Sequence, residues 1–293
     1  MSTECPLCGA LTVHAFAVGD RNRELSDERF HYRRCVSCHS LHLADVPAEL
    51  GRYYPADYYG APSLAQLDAG ADGERSKLDL IGALAPSGRL VDVGAAFGLF
   101  ARAADRAGYE VTAIERDGGC CEHLERVVGV RAVHSDAPER ELASLEGVQA
   151  VTLWHVLEHL PRPRSVIDAA AAALAPGGAL AIAMPNPQSL QFRVLRSRWA
   201  HVDAPRHLFL IPLAALGRFA AAAGLELRAA TTSDPAGRYW NFFGWEHAVR
   251  WRPARRASTP ATVRLAQALT LALSPVERRG LNGAAYTALF VKP

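Results

Sequence analysis

Between residues 88 and 291 the chain alternates short apolar runs with longer stretches of helical character, and this alternation constrains the fold more than any other feature. Parallel strands need a crossover connection, which a helix usually provides, so this order predicts a doubly wound, mostly parallel sheet. The runs with strand character are 89–93, 110–115, 131–134, 150–154, 179–183, 225–231 and 285–291. The sequence therefore predicts an α/β protein with a Rossmann-like sheet.

Two Cys-x-x-Cys pairs mark the first 45 residues as a separate module. Cys5 and Cys8 form one pair, and Cys35 and Cys38 form the other. Matched pairs in a chain with few cysteines favour a tetrahedral Zn(II) site, and four thiolates leave no open position for a catalytic water. We expect a structural zinc ribbon over residues 1–45. Cysteines retained for packing or redox chemistry are the alternative.

The remaining organisation follows from composition and charge. Residues 46–87 are expected to form a linker and a helix that act as a lid, and residues 88–293 form the main domain, with an insertion rich in Arg and aromatic residues at about 235–283. The formal charge of +2 excludes a protein whose whole surface binds phosphate backbones. Because the chain has no membrane-spanning apolar run and no signal-like start, we expect a cytoplasmic protein.

A turn of small residues follows the first strand of the main domain. It contains Asp92, Gly94, Ala96 and Gly98, and small residues at such a turn let the backbone approach a ligand closely. The carboxylate of Asp92 suits a ligand with an ammonium group. Glu115 ends the next strand about 20 residues later, where an acidic side chain can bind ribose hydroxyls. Together the two acids indicate a nucleoside that carries an amino acid.

These residues resemble the class I S-adenosylmethionine-dependent methyltransferases, with Ala96 in the place of one family glycine. The segment 154–160, WHVLEHL, is the most specific feature and resembles the small-molecule branch that includes the ubiquinone-type O-methyltransferases. The resemblance implies S-adenosylmethionine as the methyl donor. The resemblance also implies that Arg116, Asp136, Ala137 and Trp154 belong to the residues that bind this donor.

Three polar residues follow the fourth strand of the domain, at the sheet edge where ligands bind. We interpret His159 as a general base and His155 as a wall of the pocket beside the methyl group, with Glu158 and His159 opening the following helix. The resemblance also allows Glu158 and His159 to hold a divalent cation. Capping of the helix or a bond to a buried carbonyl is the alternative for either histidine.

A later loop carries further candidates for the acceptor site. Asp203 and Arg206 are predicted to bind the substrate, Arg206 by pairing with an acidic group, and His207 is predicted to join the catalytic residues. A network of hydrogen bonds within the protein is the alternative for Asp203, Arg206 and His207. Tyr58 is a further candidate for substrate binding. The insertion at 235–283 is interpreted as an aromatic cap over the substrate or as the surface of a homodimer.

Three functions remain open from the sequence. The first is methyl transfer to an O, N or C atom of a small metabolite, such as a nucleotide-linked sugar or a natural-product scaffold. The second is methylation of an rRNA base, because the rRNA guanine-N1 methyltransferases also join a zinc finger to this fold, although with a shorter finger spacing. The third is a non-catalytic zinc-ribbon module. The HVLEHL segment favours a small acceptor, so a nucleic-acid partner is not expected.

Overall fold

The computed structural model describes residues 3–54, 60–250 and 257–293. Within them the chain forms two sheets, one of seven strands and one of four. One continuous cluster of buried apolar side chains extends from Cys35 and Tyr32 of the N-terminal module to Val91 and Leu153 of the large sheet. The N-terminal module and the main domain therefore share a core.

The N-terminal module is an antiparallel sheet that begins as a hairpin. Its strands are β1 (Thr12–Val18), β2 (Phe30–Cys35) and β3 (Leu41–Leu43). The fourth strand of this sheet is β9 (Phe209–Leu210), which comes from the main domain and pairs with β3. Sequence analysis placed the boundary of the module at residue 45 and did not foresee this strand.

The large sheet follows the predicted alternation. Its strands are β4 (Gly88–Val93), β5 (Tyr109–Glu115), β6 (Arg131–His134), β7 (Val148–Trp154), β8 (Leu174–Pro185), β10 (Glu226–Thr231) and β11 (Ala285–Val291). The spatial order is β10-β11-β8-β7-β4-β5-β6. Among the described residues of this sheet, only β11 runs against the common strand direction, and it is antiparallel to both β10 and β8. The predicted α/β class with a Rossmann-like sheet is thus confirmed, and the order of strands reverses between β4 and β7.

Helices cover the large sheet and precede it. They are α1 (Leu64–Ala71), α2 (Arg75–Gly82), α3 (Leu99–Arg106), α4 (Gly118–His123), α5 (Pro138–Ala143), α6 (Pro163–Ala173), α7 (Leu190–Leu195) and α8 (Leu213–Ala222). The sequence suggested that Glu158 and His159 open the helix after β7, but they do not belong to α6. They lie in a separate 3₁₀ turn, Leu157–His159, because Pro161 and Pro163 delay the start of the helix.

The insertion between β10 and β11 folds as two helices, α9 (Pro235–Val249) and α10 (Pro260–Glu277). Asp234 caps the start of α9 by accepting a hydrogen bond from the backbone of Gly237, and Thr259 caps α10. Tyr58 and the arginines 252, 255 and 256 lie outside the described residues. Over the described ranges, no helix is both long and apolar enough to cross a membrane.

Candidate active site

A cavity of about 1030 Å³ opens at the carboxyl ends of β4, β5 and β7. Ligands bind at this edge in open α/β sheets, where the order of strands reverses. Several parts of the main domain line the cavity: the turn after β4, the ends of β5 and β6, the segment after β7, Pro185 of β8, the loop 199–207 and α9. Asn22, Arg23, Leu25 and Tyr54, which precede the main domain, complete the lining.

The turn after β4 is held in a conformation that favours glycine. Gly94 has φ of +72°, and a Cβ there would lie 2.4 Å from Cγ2 of Val156. Ala96 also has positive φ, +47°, so it adopts a conformation that glycine tolerates better. Both residues line the cavity. The backbone of the turn is therefore exposed to a ligand, as the small residues predicted.

Glu115 links this turn to the end of β5. Its Oε2 accepts a hydrogen bond from the backbone N–H of Ala96 at 2.9 Å, and its Oε1 accepts from the N–H groups of Arg116 and Asp117 at 2.7 and 3.1 Å. A carboxylate offers about four acceptor sites, so Oε2 keeps the capacity to bind a ligand hydroxyl. Glu115, Arg116, Asp136 and Trp154 all line the cavity.

Three other predicted cofactor residues do not line the cavity: Asp92, Gly98 and Ala137. Asp92 is 1% exposed and accepts a hydrogen bond from Thr152 Oγ1 at 2.7 Å. Burial raises the pKa of Asp92 to about 7. This position below the turn does not support the predicted contact with an ammonium group. Gly98 instead packs against the side chains of Leu124 and Val128.

A buried carboxylate, that of Glu158, belongs to the part of the cavity wall that follows β7. Glu158 is fully buried, and neither of its carboxylate oxygens has a hydrogen-bond partner among the described residues. Nδ1 of His155 lies 3.6 Å from Oε1. Burial alone would raise the pKa of Glu158, but the three surrounding histidines, His155 first and then His207 and His159, outweigh burial, so that the net shift is downward. Glu158 is therefore an anion at neutral pH.

His159 and His207 lie beside this carboxylate, and their ring centroids are 4.6 Å apart. Nδ1 of His159 is 3.0 Å from the carbonyl oxygen of Arg206, and Nδ1 of His207 is 2.9 Å from the carbonyl oxygen of His201. A carbonyl only accepts, so both Nδ1 atoms carry a proton, and Nε2 is the atom of each ring that remains for other contacts. Burial, aided by His207, lowers the pKa of His159 to about 4.

The same three residues have the composition of a metal site. One ligand atom from each of Glu158, His159 and His207 lies within 4.8 Å of those of the others. A hydrogen bond from Nδ1 to a carbonyl is the usual second contact of a histidine that ligates through Nε2. The residues present therefore fit a divalent cation as well as a proton acceptor.

Aromatic rings form the opposite wall of the cavity. Trp240 of α9 lies 4.7 Å from His155 and 5.4 Å from His201, measured between ring centroids. Tyr239 and Phe243 extend this wall. His155 follows β7 with φ of +58°, which turns its side chain into the cavity wall. The sequence indicated an aromatic cap at this insertion, but not the individual rings nor the part played by His201.

Asp203 and Arg206 differ in their access to the cavity. Asp203 and His207 line the cavity, whereas Arg206 is 1% exposed. Nη2 of Arg206 donates to Asp20 at 2.6 Å and to Asp203 at 2.7 Å, and Nε donates to Asp203 at 3.0 Å. Two carboxylates of the chain thus neutralise this guanidinium. The prediction that Arg206 pairs with an acidic group of the substrate does not fit its burial, and the alternative of an internal network does.

Sequence analysis missed three residues of the cavity wall that precede the main domain, Asn22, Arg23 and Leu25, whereas Tyr54, which also lines the cavity, lies in the segment 46–87 that it interpreted as a lid. The hydroxyl of Tyr54 lies 3.0 Å from Nδ1 of His159, and Arg116 stacks on the ring of Tyr54 at 4.5 Å. The repeated tyrosines after residue 52 were the available signal for Tyr54. No local pattern marked residues 22–25.

The four predicted zinc ligands converge at the far end of the hairpin β1–β2. Sγ of Cys5 is 3.8 Å from Sγ of Cys38, and Sγ of Cys8 is 3.5 Å from Sγ of Cys35. The backbone N–H groups of Ser37 and Cys38 point at Sγ of Cys35, at 3.4 and 3.3 Å. Four sulfurs in one cluster with such N–H groups fit the donor set of a structural zinc ion.

The fold and the position of the cavity define a Rossmann-like protein of the methyltransferase class. The profile of the family described as "Methyltransferase domain" matches residues 70–230, which is more than half of the chain. The chain therefore belongs to this methyltransferase-domain family. The resemblance inferred from the turn after β4 and from the HVLEHL segment is confirmed.

Comparison with curated proteins and solved structures agrees with this assignment. The chain is 31% identical over 157 residues to a ubiquinone biosynthesis O-methyltransferase of Xanthomonas oryzae pv. oryzae, covering 50% of this chain and 62% of the relative. For the enzyme of that name from Bordetella avium the identity is 32% over 129 residues, covering 40% and 52%. The chain thus spans less than two thirds of the length of these relatives.

A solved structure of a SAM-dependent methyltransferase from Archaeoglobus fulgidus superposes with a TM-score of 0.50 at 16% identity, covering 77% of this chain and 94% of the other. A methyltransferase structure from Bacillus halodurans gives a TM-score of 0.50 at 18% identity, covering 75% and 99%. At these identities the likeness shows the fold alone.

Proposed function

We propose that the protein transfers a methyl group from S-adenosylmethionine to a small acceptor molecule, with a histidine that removes the proton of the acceptor. One observation carries the proposal. A single cavity combines the turn after β4 and the carboxylate of Glu115 with the imidazoles of His159 and His207 and the carboxylate of Glu158. The turn after β4 and Glu115 suit a nucleoside, and we call this part the cofactor side of the cavity. The histidines and Glu158 suit an acceptor that must lose a proton, and we call this part the acceptor half.

The residues of the chain divide the work between binding and proton transfer. When bound, S-adenosylmethionine supplies a methyl group on a positively charged sulfur. Oε2 of Glu115 accepts a hydrogen bond from a ribose hydroxyl, and the turn at Gly94 lets the backbone approach the ligand. Asp136 follows the end of β6, at the position that reaches the adenine in the family. Trp240 and Phe243 exclude water from the acceptor half of the cavity.

His159 is the proposed base. Nε2 of His159 would accept the proton that the acceptor atom loses as it receives the methyl group, while the neutral thioether of the donor would be the leaving group. The anionic Glu158 stabilises the imidazolium that results. His155 bounds the path of the methyl group. Because the pKa of His159 is about 4, this ring is neutral, with Nε2 unprotonated, throughout the physiological range.

A divalent cation held by Glu158, His159 and His207 is the second candidate for activating the acceptor. The unpaired oxygens of Glu158 favour it. The two candidates predict different effects of a chelator on turnover. Activity that survives removal of every metal except the ion of the cysteine cluster supports the histidine base, and activity that returns only with added Mn²⁺ or Mg²⁺ supports the cation.

Calorimetric titration of S-adenosylhomocysteine into the zinc-replete protein tests the proposal. We expect binding in the wild type and at least tenfold weaker binding in Glu115→Gln. Glu110→Gln is the matched control, because Glu110 lies on the same strand with an exposed side chain. Equal affinity in all three proteins, or no binding with and without acceptors, would reject the proposed site.

The acceptor is sought with radiolabelled S-adenosylmethionine and a panel of phenols, amines and nucleotide-linked sugars. Transfer of label to any member supports a small acceptor. Transfer of label to rRNA fragments, with retention of RNA that weakens as salt is raised, would support the RNA alternative instead.

A further inference from the structure

The N-terminal module contacts the acceptor half of the cavity through a chain of buried polar groups. Asp20 is 3% exposed, and its carboxylate accepts hydrogen bonds from both terminal nitrogens of Arg206, at 2.6 and 3.3 Å. The same carboxylate accepts from the backbone N–H groups of Arg23 and Leu25, each at 3.1 Å. One side chain thus fixes both the loop that lines the cavity and the guanidinium of the main domain.

Two further contacts reach the loop 199–207 directly. Nδ2 of Asn22 donates to Oδ1 of Asp203 at 2.6 Å and to the carbonyl of Ala200 at 2.8 Å. The hydroxyl of Tyr32, which is fully buried on β2, donates to the carbonyl of His207 at 2.6 Å. The backbone of Leu43 donates to the carbonyl of Leu208 at 2.8 Å, where β9 joins β3. The module therefore contacts the loop at the side chain of Asp203 and at the backbone carbonyls of Ala200, His207 and Leu208.

The burial of these groups decides how strongly they depend on one another. The side chains of Arg206 and Asp20 are 1% and 0% exposed, so water solvates neither charge. A buried cation that loses a carboxylate partner is strongly destabilised and must find another arrangement. Because Arg206 also holds Asp203, and Oδ2 of Asp203 lies 3.9 Å from Nε2 of His207, a change at Asp20 reaches the catalytic cluster through two side chains.

The hairpin connects this contact to the cysteine cluster. Thr12 pairs with Cys35 at one end of the β1–β2 ladder, and Val18 pairs with Phe30 at the other. The cysteines therefore close one end of the hairpin, and Asp20 and Asn22 lie in the loop at its opposite end. A metal ion that fixes the first end thereby fixes the position of the second.

We propose that the N-terminal module forms the acceptor-side wall of the cavity, with Asp20, Asn22 and Tyr32 as positioning residues that hold His207 and the loop 199–207. This inference rests on the proposed function for its catalytic meaning, but its geometry does not depend on the identity of the acceptor. The cofactor side of the cavity, around Gly94 and Glu115, receives none of these three contacts. Disturbing the module is therefore expected to alter the acceptor side and leave binding of the cofactor intact.

Hydrogen exchange and calorimetry on the full chain test this separation. In Asp20→Asn we expect amides of residues 199–211 to exchange at least tenfold faster than in the wild type, while the affinity for S-adenosylhomocysteine changes less than twofold. Tyr32→Phe removes a single hydroxyl and is expected to act in the same direction, which keeps the test decisive if Asp20→Asn does not fold. Glu28→Gln is the matched control, since Glu28 lies in the same module on an exposed ion pair.

The ring of His207 provides a signature that a merely structural role would not alter. In spectra of protein labelled with ¹⁵N-histidine, the signals of His207 are identified by their absence in His207→Gln. We expect them to shift in Asp20→Asn and in Tyr32→Phe, and to remain in place in Glu28→Gln.

Two results would overturn the proposal. Unchanged exchange at 199–211 together with unchanged His207 signals in both variants would show that the module does not position the loop. An equal loss of affinity for S-adenosylhomocysteine would show that the module supports the whole domain rather than the acceptor side. If the wild type itself fails to bind S-adenosylhomocysteine, the proposed function fails, while the exchange and the spectra still decide the positioning role.

Discussion

Two backbone carbonyl groups determine which nitrogen of His159 and of His207 carries the proton. The carbonyls belong to Arg206 and His201, which lie in a loop far from residue 159 in the sequence. Sequence analysis found His159 because the segment around it resembles a known motif, and it found His207 in the later loop that carries Asp203 and Arg206. It could not assign their protonation, since that depends on contacts between distant segments. The burial of Arg206 was unpredictable for the same reason, because its partner Asp20 is 186 residues away.

Replacement of His159 tests the proposed base. We expect His159→Gln to slow methyl transfer by about 10² to 10⁴-fold, because general bases contribute factors of this size, and to leave the affinity for S-adenosylhomocysteine unchanged. Single-turnover rates with an acceptor from the screen provide the measurement. His31→Gln, at an exposed position of β2, serves as the control. Equal rates in the two variants would contradict the assignment.

His201 predicts a specific dependence of stability on pH. Burial lowers the pKa of His201 to about 3, whereas the unfolded chain has the ordinary value of 6.5. Between these values the unfolded state binds the proton and the folded state does not, so the free energy of unfolding falls as the pH falls below 6.5, by about 1.4 kcal/mol per pH unit for one group.

Urea unfolding at pH 6.5 and 5.0 measures this dependence. We expect the wild type to lose about 2 kcal/mol more than His201→Gln over this interval, because only the wild type pays for the displaced proton at this site. The difference between the two proteins isolates His201 from the other titrating groups. Parallel losses would show that folding does not lower the pKa of His201.

At the scale of elements, the turn after β4 and the 3₁₀ turn after β7 meet across the cofactor side of the cavity. The methyl groups of Val156 occupy the space in which a Cβ of Gly94 would lie. The pattern of small residues predicted a close turn, and the strands on either side were predicted within a few residues. The 3₁₀ turn was missed, because a short turn before two prolines leaves no periodic signal.

Gly94→Ala is expected to weaken binding of S-adenosylhomocysteine by at least tenfold, since alanine at φ of +72° costs about 1 to 3 kcal/mol and its Cβ collides with Val156. The double variant Gly94→Ala with Val156→Ala relieves the collision and is expected to recover part of the affinity. Gly217→Ala is the control, because a Cβ at Gly217 of α8 meets nothing within 4 Å. Calorimetry on the four proteins measures the effect, and full affinity in Gly94→Ala would show that the turn does not contact the ligand.

At the scale of the whole molecule, the two sheets are joined by an apolar core and by β9. Composition and alternation were sufficient to predict the large sheet, and the spacing of the cysteines was sufficient to predict where the small module lies. The join between them was not predictable, because a strand of two residues, Phe209–Leu210, has no pattern of its own. Residues 22–25 line the cavity only as a result of this join.

The cysteine cluster predicts one zinc ion per chain. Atomic emission of the purified protein is expected to give about one equivalent, and Cys8→Ser is expected to lower it and to lower the melting temperature, because a structural zinc ion contributes to the free energy of folding. Cys120→Ser is the control, since Cys120 is buried beside β5 and outside the cluster. Full zinc content in Cys8→Ser would remove Cys8 from the ligand set.

The strand β9 also sets an order of events during synthesis. Residues 3–43 leave the ribosome before residues 206–210 and can bind metal at once, but until residues 206–210 follow, the edge of β3 lacks its partner strand and the carboxylate of Asp20 lacks Arg206. Since domains fold from the N-terminus as they are made, this module appears before the main domain but is completed only with it. Its exposed strand edge is a point at which a nascent or truncated chain is prone to associate with another copy, because an unpaired edge is a template for a further strand.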